Sequence, residues 1–136
     1  MSRAFLLDSH VLLWLALENP RLPRRVVDQL SDRSAEMFVS SAGIAELCIK
    51  ASLGKLHLPF PSDVDTEAAF SGLLSDIHAS ALNVTLAHAC RLRDLPLHHR
   101  DPFDRLMIAQ ALAEGLTLVT HDRAFARYEG LSVLWA

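Results

Sequence analysis

The stretch DPFDRLMIAQALAEGLTLVTHD, Asp101–Asp122, predicts one helix and one strand joined by a single glycine. Asp101 followed by Pro102 is a typical helix cap and first-turn pair. Apolar residues then continue to Gly115, the residue type expected just past the end of a helix. LTLVT, 116–120, has the length and composition of a buried strand. A helix leading directly into such a strand is typical of a parallel sheet with crossover helices.

The same alternation continues on both sides of this stretch. Short apolar runs predict further strands at 3–7, 37–40, 81–85 and 131–135, and helical patterns lie between most of them. Strands that alternate with helices imply crossover connections and a sheet covered on both faces. We therefore predict a three-layer α/β/α fold with a mainly parallel sheet, formed as a single domain by residues 1–136.

Composition limits the classes of protein to consider. The chain has 136 residues, 51% of them hydrophobic, and its net charge of −3 does not suggest a broadly basic nucleic-acid binder, so any nucleic acid must be held by a local patch. The longest apolar run, VLLWLAL at 11–17, is too short to span a bilayer, and no secretory signal is recognisable. We expect a cytoplasmic protein without a membrane partner, in which Cys48 and Cys90 are buried, reduced thiols.

Four acidic residues occupy related places on this predicted fold. Asp8 follows the first strand, and Asp122 follows LTLVT by two residues. Glu46 lies in the helix after the second strand, and Asp104 lies in the first turn of the helix before LTLVT. In an open α/β sheet the functional crevice lies beyond the carboxyl ends of the strands. All four carboxylates could therefore reach the same edge of the sheet.

Each acid also has a purely structural interpretation. Asp8 and Asp122 could be helix caps, and Glu46 could pair with Lys50 four residues later. Asp101 is assigned mainly to capping, and Asp104 would suit the helix dipole. Taken together, however, four carboxylates in a partly buried site repel one another unless a cation lies between them. Oxygen ligands without cysteine favour Mg²⁺ or Mn²⁺ over Zn²⁺, and this combination matches phosphodiester hydrolysis.

Three motifs resemble the PIN-domain ribonucleases, and within them the VapC-type toxins of bacterial type II toxin–antitoxin systems. They are LLDSHVLLWL around Asp8, SSAGIAELCIKASLGKLHLP around Glu46, and LPLHHRDPFDRLMIAQALAEGLTLVTHDRAF across Asp104 and Asp122. The resemblance covers nearly the whole chain and implies a five-stranded sheet. It implies that Asp8 and Asp104 bind the metal, that Glu46 orients a ligand or a water, and that Asp122 is the fourth acid, binding metal through water.

The resemblance further implies a metal-dependent endoribonuclease that uses Mg²⁺ or Mn²⁺, an RNA substrate, homodimers and a cognate antitoxin. A catalytically silent PIN-like module that binds RNA or a protein is the alternative. Trp14 and Trp135 are expected in core or dimer contacts, and the roles of His98 and His99 stay open. Residues beside the acids that could contact substrate are Ser9, Thr120, His121, Arg100 and Arg105.

Overall fold

The computed structural model describes residues 3–136, and these residues form a five-stranded sheet with helices on both faces. In chain order the elements are β1 Ala4–Leu7, α1 Ser9–Ala16, α2 Arg24–Leu30, β2 Glu36–Ser40, α3 Ser41–Ser52, α4 Thr66–Asp76, β3 Ala79–Leu82, α5 Leu86–Arg91, α6 Pro102–Glu114, β4 Thr117–Thr120, a short 3₁₀ helix Arg123–Arg127, and β5 Val133–Trp135. The predicted α/β class and its strand–helix alternation are confirmed.

The two faces of the sheet pack against two separate apolar clusters. Side chains alternate across a strand, so Phe5 and Leu7 of β1 join the cluster that contains α1, α2 and α3, while Leu6 joins the cluster that contains α6 and the 3₁₀ helix. In β4, Val119 and Leu118 divide between the clusters in the same way. Burial on both faces explains why these strands are short continuous apolar runs. The three-layer arrangement is therefore as predicted.

Strand order fixes where a ligand can bind. The order is β3-β2-β1-β4-β5, and every neighbouring pair is parallel. The chain winds outward from β1 in one direction and returns to extend the sheet from β4 in the other. The order therefore reverses between β1 and β4, and the connections on either side leave a crevice beyond the carboxyl ends of these two strands. Asp8 follows β1, and Asp122 follows β4, at this point.

The last strand begins two residues later than predicted, and two further details differ from the sequence prediction. The third strand is Ala79–Leu82 and not 81–85, because Thr85 is used to begin α5. The Thr85 hydroxyl accepts the His88 amide at 3.2 Å, and the His88 ring accepts the Thr85 amide at 3.0 Å, a reciprocal cap. The prediction of two buried thiols is wrong for Cys90, which is exposed on α5, while Cys48 is half-buried.

None of the helices within residues 3–136 combines the length and hydropathy that crossing a membrane requires.

Candidate active site

A cavity of about 510 Å³ lies at the carboxyl ends of β1 and β4, and the four predicted acids all line it. We call it the acidic pocket. Its lining residues are Asp8, His10, Glu46, Lys50, His99, Asp101, Asp104, His121, Asp122 and Arg123. Residues from α1, α3, α6 and the segment after β4 thus meet at the point where the strand order reverses. The sequence prediction that Asp8, Glu46, Asp104 and Asp122 reach one edge agrees with this geometry.

Asp8 is buried and held by hydroxyl groups. Its Oδ2 accepts a 2.7 Å hydrogen bond from Thr120 Oγ1, and its Oδ1 lies 3.3 Å from Ser9 Oγ. Although Asp8 precedes α1, its side chain makes no hydrogen bond to the helix amides. The structural interpretation of Asp8 as a side-chain cap is therefore not realised. Its carboxylate is instead fixed in orientation across the two central strands.

The expectation that Ser9 and Thr120 contact substrate is corrected by their burial. Ser9 is 1% exposed and Thr120 is 0% exposed, so neither hydroxyl faces the opening of the pocket. Ser9 Oγ lies 2.9 Å from Glu46 Oε1, which makes Glu46 its nearer partner. Both hydroxyl groups therefore have a structural role. Thr120 donates to Asp8, and Ser9 donates to Glu46, so the two carboxylates are held in position.

Glu46 satisfies both of its predicted interpretations. Its side chain is buried beside Ser9, and its Oε2 lies 3.4 Å from Lys50 Nζ, one turn later in α3. The Lys50 side chain is 38% exposed, so it offsets the charge of Glu46 from the rim of the acidic pocket. A helical ion pair and a place in the acidic pocket are compatible here, because Oε2 of Glu46 faces Lys50 while Oε1 accepts the Ser9 hydroxyl.

Asp101 and Asp104 divide the roles at the start of α6. Asp101 caps the helix, accepting the amide of Phe103 at 2.9 Å and more weakly that of Asp104 at 3.4 Å. Burial, together with the charges of Asp101, Asp8, Glu46 and Asp122, raises the pKa of Asp104 to about 8. Without a cation, Asp104 therefore keeps its proton at neutral pH. A cation bound in the pocket would offset the neighbouring negative charges and favour the ionised form of Asp104.

His99 belongs to the acidic pocket, and the sequence did not assign it there. Its Nε2 lies 3.1 Å from Asp104 Oδ2 and 3.0 Å from Asp122 Oδ2. Its Nδ1 accepts the Asp101 amide at 3.2 Å, so the ring proton is on Nε2 and faces the two carboxylates. His98 points elsewhere, with its ring 5.1 Å from that of Tyr128. The only sequence signal was a histidine two residues before a helix cap.

Asp122 lies at the more open side of the pocket, with 39% of its side chain exposed. Burial by itself would raise its pKa, but the hydrogen bonds from the Ala124 amide and from His99 outweigh burial and hold the pKa below its usual value. Its Oδ1 accepts the Ala124 amide at 3.0 Å, so it also caps the 3₁₀ helix. Asp122 is thus the ionised partner of a protonated Asp104 across His99.

The predicted basic contacts separate into two groups. The Arg105 guanidinium lies within 3.0–3.4 Å of the carbonyl oxygens of Leu92, Leu95, Pro96 and His99, so it holds the loop before α6 in place and corrects the expectation of a substrate contact. Arg100 is exposed and outside the pocket lining, whereas His121 is exposed and lines it.

The His121 ring lies 5.0 Å from that of Trp14. Trp14 and Trp135 both pack partly against the core clusters, as expected.

The pocket suits a hard divalent cation. Ligand atoms of His99, Asp104 and Asp122, and those of Glu46, Asp101 and Asp104, form two groups within which all atoms lie within 4.8 Å of one another. Carboxylate oxygens dominate both groups, and they are the donors that Mg²⁺ and Mn²⁺ prefer. The Nδ1 bond to Asp101 commits His99 to donating from Nε2, which favours it as an orienting group over a direct ligand. Asp104 is common to both groups.

Comparisons of the sequence and of the fold with known proteins identify the relatives of this chain. The family profile of the PIN domain matches residues 5–131. Ribonuclease VapC22 of Mycobacterium tuberculosis is 31% identical over 119 residues, which cover 87% of this chain and 86% of that protein. Among solved structures, VapBC2 from Rickettsia felis, bound to a DNA fragment from its promoter, superposes with a TM-score of 0.67 at 16% identity, covering 96% of this chain and 97% of that one.

DNA-bound VapBC from Salmonella typhimurium gives a TM-score of 0.67 at 19% identity, with 96% of each chain covered. FitAcB from Neisseria gonorrhoeae gives 0.64 at 19% identity, again with 96% of each chain covered. At these identities the structural matches establish the fold, and the family profile together with the VapC22 relative establishes descent. The chain belongs to the PIN-domain family and is a homologue of the VapC-type ribonucleases of toxin–antitoxin systems.

Proposed function

We propose that this protein is a metal-dependent endoribonuclease and the toxin of a toxin–antitoxin pair, formed as a single PIN domain by residues 1–136. The observation that carries the proposal is the acidic pocket, where burial and the charges of the neighbouring carboxylates raise the pKa of Asp104 to about 8. A protein gains nothing in stability from gathering like charges in this way. The arrangement is explained if a cation, and the phosphodiester it binds, are the partners of these acids.

The pocket residues have distinct parts in this proposal. Asp8 and Asp104 hold Mg²⁺ or Mn²⁺, with Asp8 fixed by Thr120 and Asp104 by its place in α6. Glu46 and Asp122 complete the site and orient the attacking water, which Glu46 can deprotonate. When bound, the cation would lower the pKa of that water and neutralise charge on the phosphoryl oxygens. His99 keeps Asp104 and Asp122 at a fixed separation.

The biological setting is proposed by analogy with the relatives. VapBC-5 from Mycobacterium tuberculosis is a member of the VapBC family of toxin–antitoxin systems, and from this likeness we infer a cognate antitoxin for this chain. We also propose a cytoplasmic location, a homodimer and an RNA substrate. His121 and Arg100 are the predicted substrate contacts that remain exposed, and we retain both. His121 is the better placed of the two because it lines the acidic pocket.

The first experiment is cleavage of labelled RNA by purified protein freed of any partner. We expect cutting with Mg²⁺ or Mn²⁺ and none with chelator. Asp104→Asn should abolish cutting. Asp101→Asn is the matched control, because asparagine caps a helix about as well as aspartate and the cap is retained.

Equal loss in both variants would mean that the Asp101 carboxylate is needed for cutting as much as that of Asp104, and that Asp101 is more than a helix cap. Absence of cutting by the unmodified protein, across several classes of RNA and both metals, would favour the catalytically silent binding module instead.

A further inference from the structure

Arg123 lies on the wall of the acidic pocket yet forms no ion pair with any acidic side chain in residues 3–136. Its guanidinium carbon instead lies 4.4 Å from the centre of the Trp135 ring. A cation next to four carboxylates would be expected to approach one of them. The contact with the indole keeps this cation at the edge of the pocket.

Both residues of this contact belong to regular secondary structure. Arg123 begins the 3₁₀ helix, whose start is capped by Asp122 and whose Phe125 is fully buried. Trp135 is in β5, where it pairs with Thr120 of β4 and packs against the apolar cluster beneath α6. The β4–β5 pairing places Trp135 beside Thr120, three positions before Arg123.

A cation–π contact uses no oxygen acceptor, so it leaves the N–H groups of Arg123 available to a phosphate. The guanidinium carries five N–H donors arranged along its edge. That edge matches two oxygens of a phosphate. Lys50, on the opposite side of Asp8 along the sheet edge, is different because its ammonium group is already 3.4 Å from Glu46. Arg123 is thus the pocket-lining cation that is held in place but not neutralised by a carboxylate.

We propose that Arg123, held by Trp135, binds a backbone phosphate of the RNA next to the one being cut, on the β5 side of the acidic pocket. The proposal rests on the proposed nuclease function. Trp135 acts as a positioning residue that keeps the guanidinium away from the carboxylates and directs its edge to the substrate. A phosphate bound there would bring the neighbouring phosphodiester over Asp8 and Asp104.

The test measures binding separately from cutting. A fluorescent single-stranded RNA is titrated with Asp104→Asn protein at constant Mg²⁺ over a series of salt concentrations. Adding Arg123→Ala should weaken binding about ten-fold and reduce the slope of log K against log salt by about 0.7, the value for one phosphate contact on a single strand. Arg33→Ala is the matched control, because Arg33 is exposed beside the amino end of β2 and should change neither quantity.

The Trp135 variants separate charge from position. Trp135→Phe should preserve both affinity and slope, whereas Trp135→Leu should weaken binding about three-fold with the slope retained, since the charge remains. In the active protein, Arg123→Ala should raise KM with little change in kcat, and circular dichroism should report an unchanged fold. A general loss of structure would lower kcat as well.

The outcomes are distinguishable from those for the nuclease itself. If the active protein cuts RNA and Arg123→Ala has the same salt slope as Arg33→Ala, the phosphate contact is wrong and the nuclease stands. If the slope depends on Arg123 but the unmodified protein never cuts, the contact stands and the nuclease is wrong. If the unmodified protein does not cut RNA and the Asp104→Asn protein does not bind it, both are overturned.

Discussion

The two ends of the central sheet carry cavities of similar size and opposite chemistry. At the carboxyl ends of the strands, the acidic pocket has about 510 Å³. At the amino ends, a larger cavity of about 630 Å³ is lined by Arg3, Phe5, Gln29, Gly115, Thr117, Ser132, Val133 and Leu134. Volume alone would favour the second as the functional site.

The difference lies in how the polar groups are satisfied. At the amino end, Thr117 and Ser132 hydrogen-bond to each other at 3.0 Å, and Arg3 pairs with Asp32 at 3.0 Å. At the carboxyl end, acids face acids, and the pKa of Asp104 rises to about 8. Paired groups need no ligand, whereas gathered like charges are stabilised by one. Acidic groups without a counter-charge therefore mark the functional end of the sheet better than the volume of a cavity does.

The largest expected effect tests which end is catalytic. Asp8→Asn should lower kcat/KM for RNA cleavage by about 100-fold or more, because it removes the charge of a proposed metal ligand while keeping an acceptor for Thr120. Thr117→Val, in β4 but at the amino end, should leave kcat/KM within about two-fold of the unmodified protein. A comparable loss in Thr117→Val would break the comparison between the two ends.

The second effect concerns the stability of the metal-free protein. The folded protein holds the Asp104 proton up to about pH 8, whereas the unfolded chain releases it near the usual value of 3.8. Between these values the folded state binds the extra proton, so the free energy of unfolding falls as pH rises. The fall should amount to a few kcal/mol at most, after allowance for solvent screening, since one pKa unit is about 1.4 kcal/mol.

Urea unfolding in chelator at several pH values measures this slope. Asp104→Asn should flatten it, and Asp63→Asn, an exposed acid outside the pocket, should not. Identical slopes in all three proteins would mean that burial and the neighbouring carboxylates do not raise the pKa of Asp104.

A third effect tests the hydrogen bonds of His99. His99→Ala should weaken Mn²⁺ binding about ten-fold or more, because Asp104 and Asp122 lose the donor between them. Glutamine can place an N–H near the position of Nε2 and should restore most of the affinity. Asparagine reaches only the position of Nδ1, so it can accept the Asp101 amide but should not restore binding. Equal affinities for the Gln and Asn variants would contradict this assignment.

The smallest effect compares two helix caps. Asp101 caps α6 at the acidic pocket, and Asp65 caps α4 outside it, each by accepting a backbone amide. Asp101→Ala and Asp65→Ala should each lower the free energy of unfolding by about 1 kcal/mol. Cleavage should decline only in Asp101→Ala, because only that cap adjoins Asp104. A decline in both would indicate that cleavage follows global stability.

The sequence predicted local features better than contacts between distant segments. The Asp101 cap and the end of α6 at Gly115 depend on neighbours a few positions away, and both were predicted. The sequence places hydroxyl residues at Ser9 and Thr120 beside the acids, but it does not show that they are buried, because burial depends on packing across the sheet. The position of His99 between Asp104 and Asp122 could not be predicted, because Asp122 is 23 positions away and reaches His99 only in the folded chain. The inward position of Arg105 could not be predicted for the same reason, because the loop carbonyl groups that it contacts become its neighbours only after folding.

The central position of β1 has a kinetic consequence. Asp8 and Thr120 are 112 positions apart in the chain, yet their hydrogen bond crosses the pairing of β1 with β4. Contacts of such high sequence separation close late and slowly during folding. The amino-terminal β–α–β segment can collapse first without bringing Asp122 near Asp8. A nascent or partly unfolded chain therefore lacks a complete cluster of acids, and cleavage activity should emerge only in the last, global step of folding.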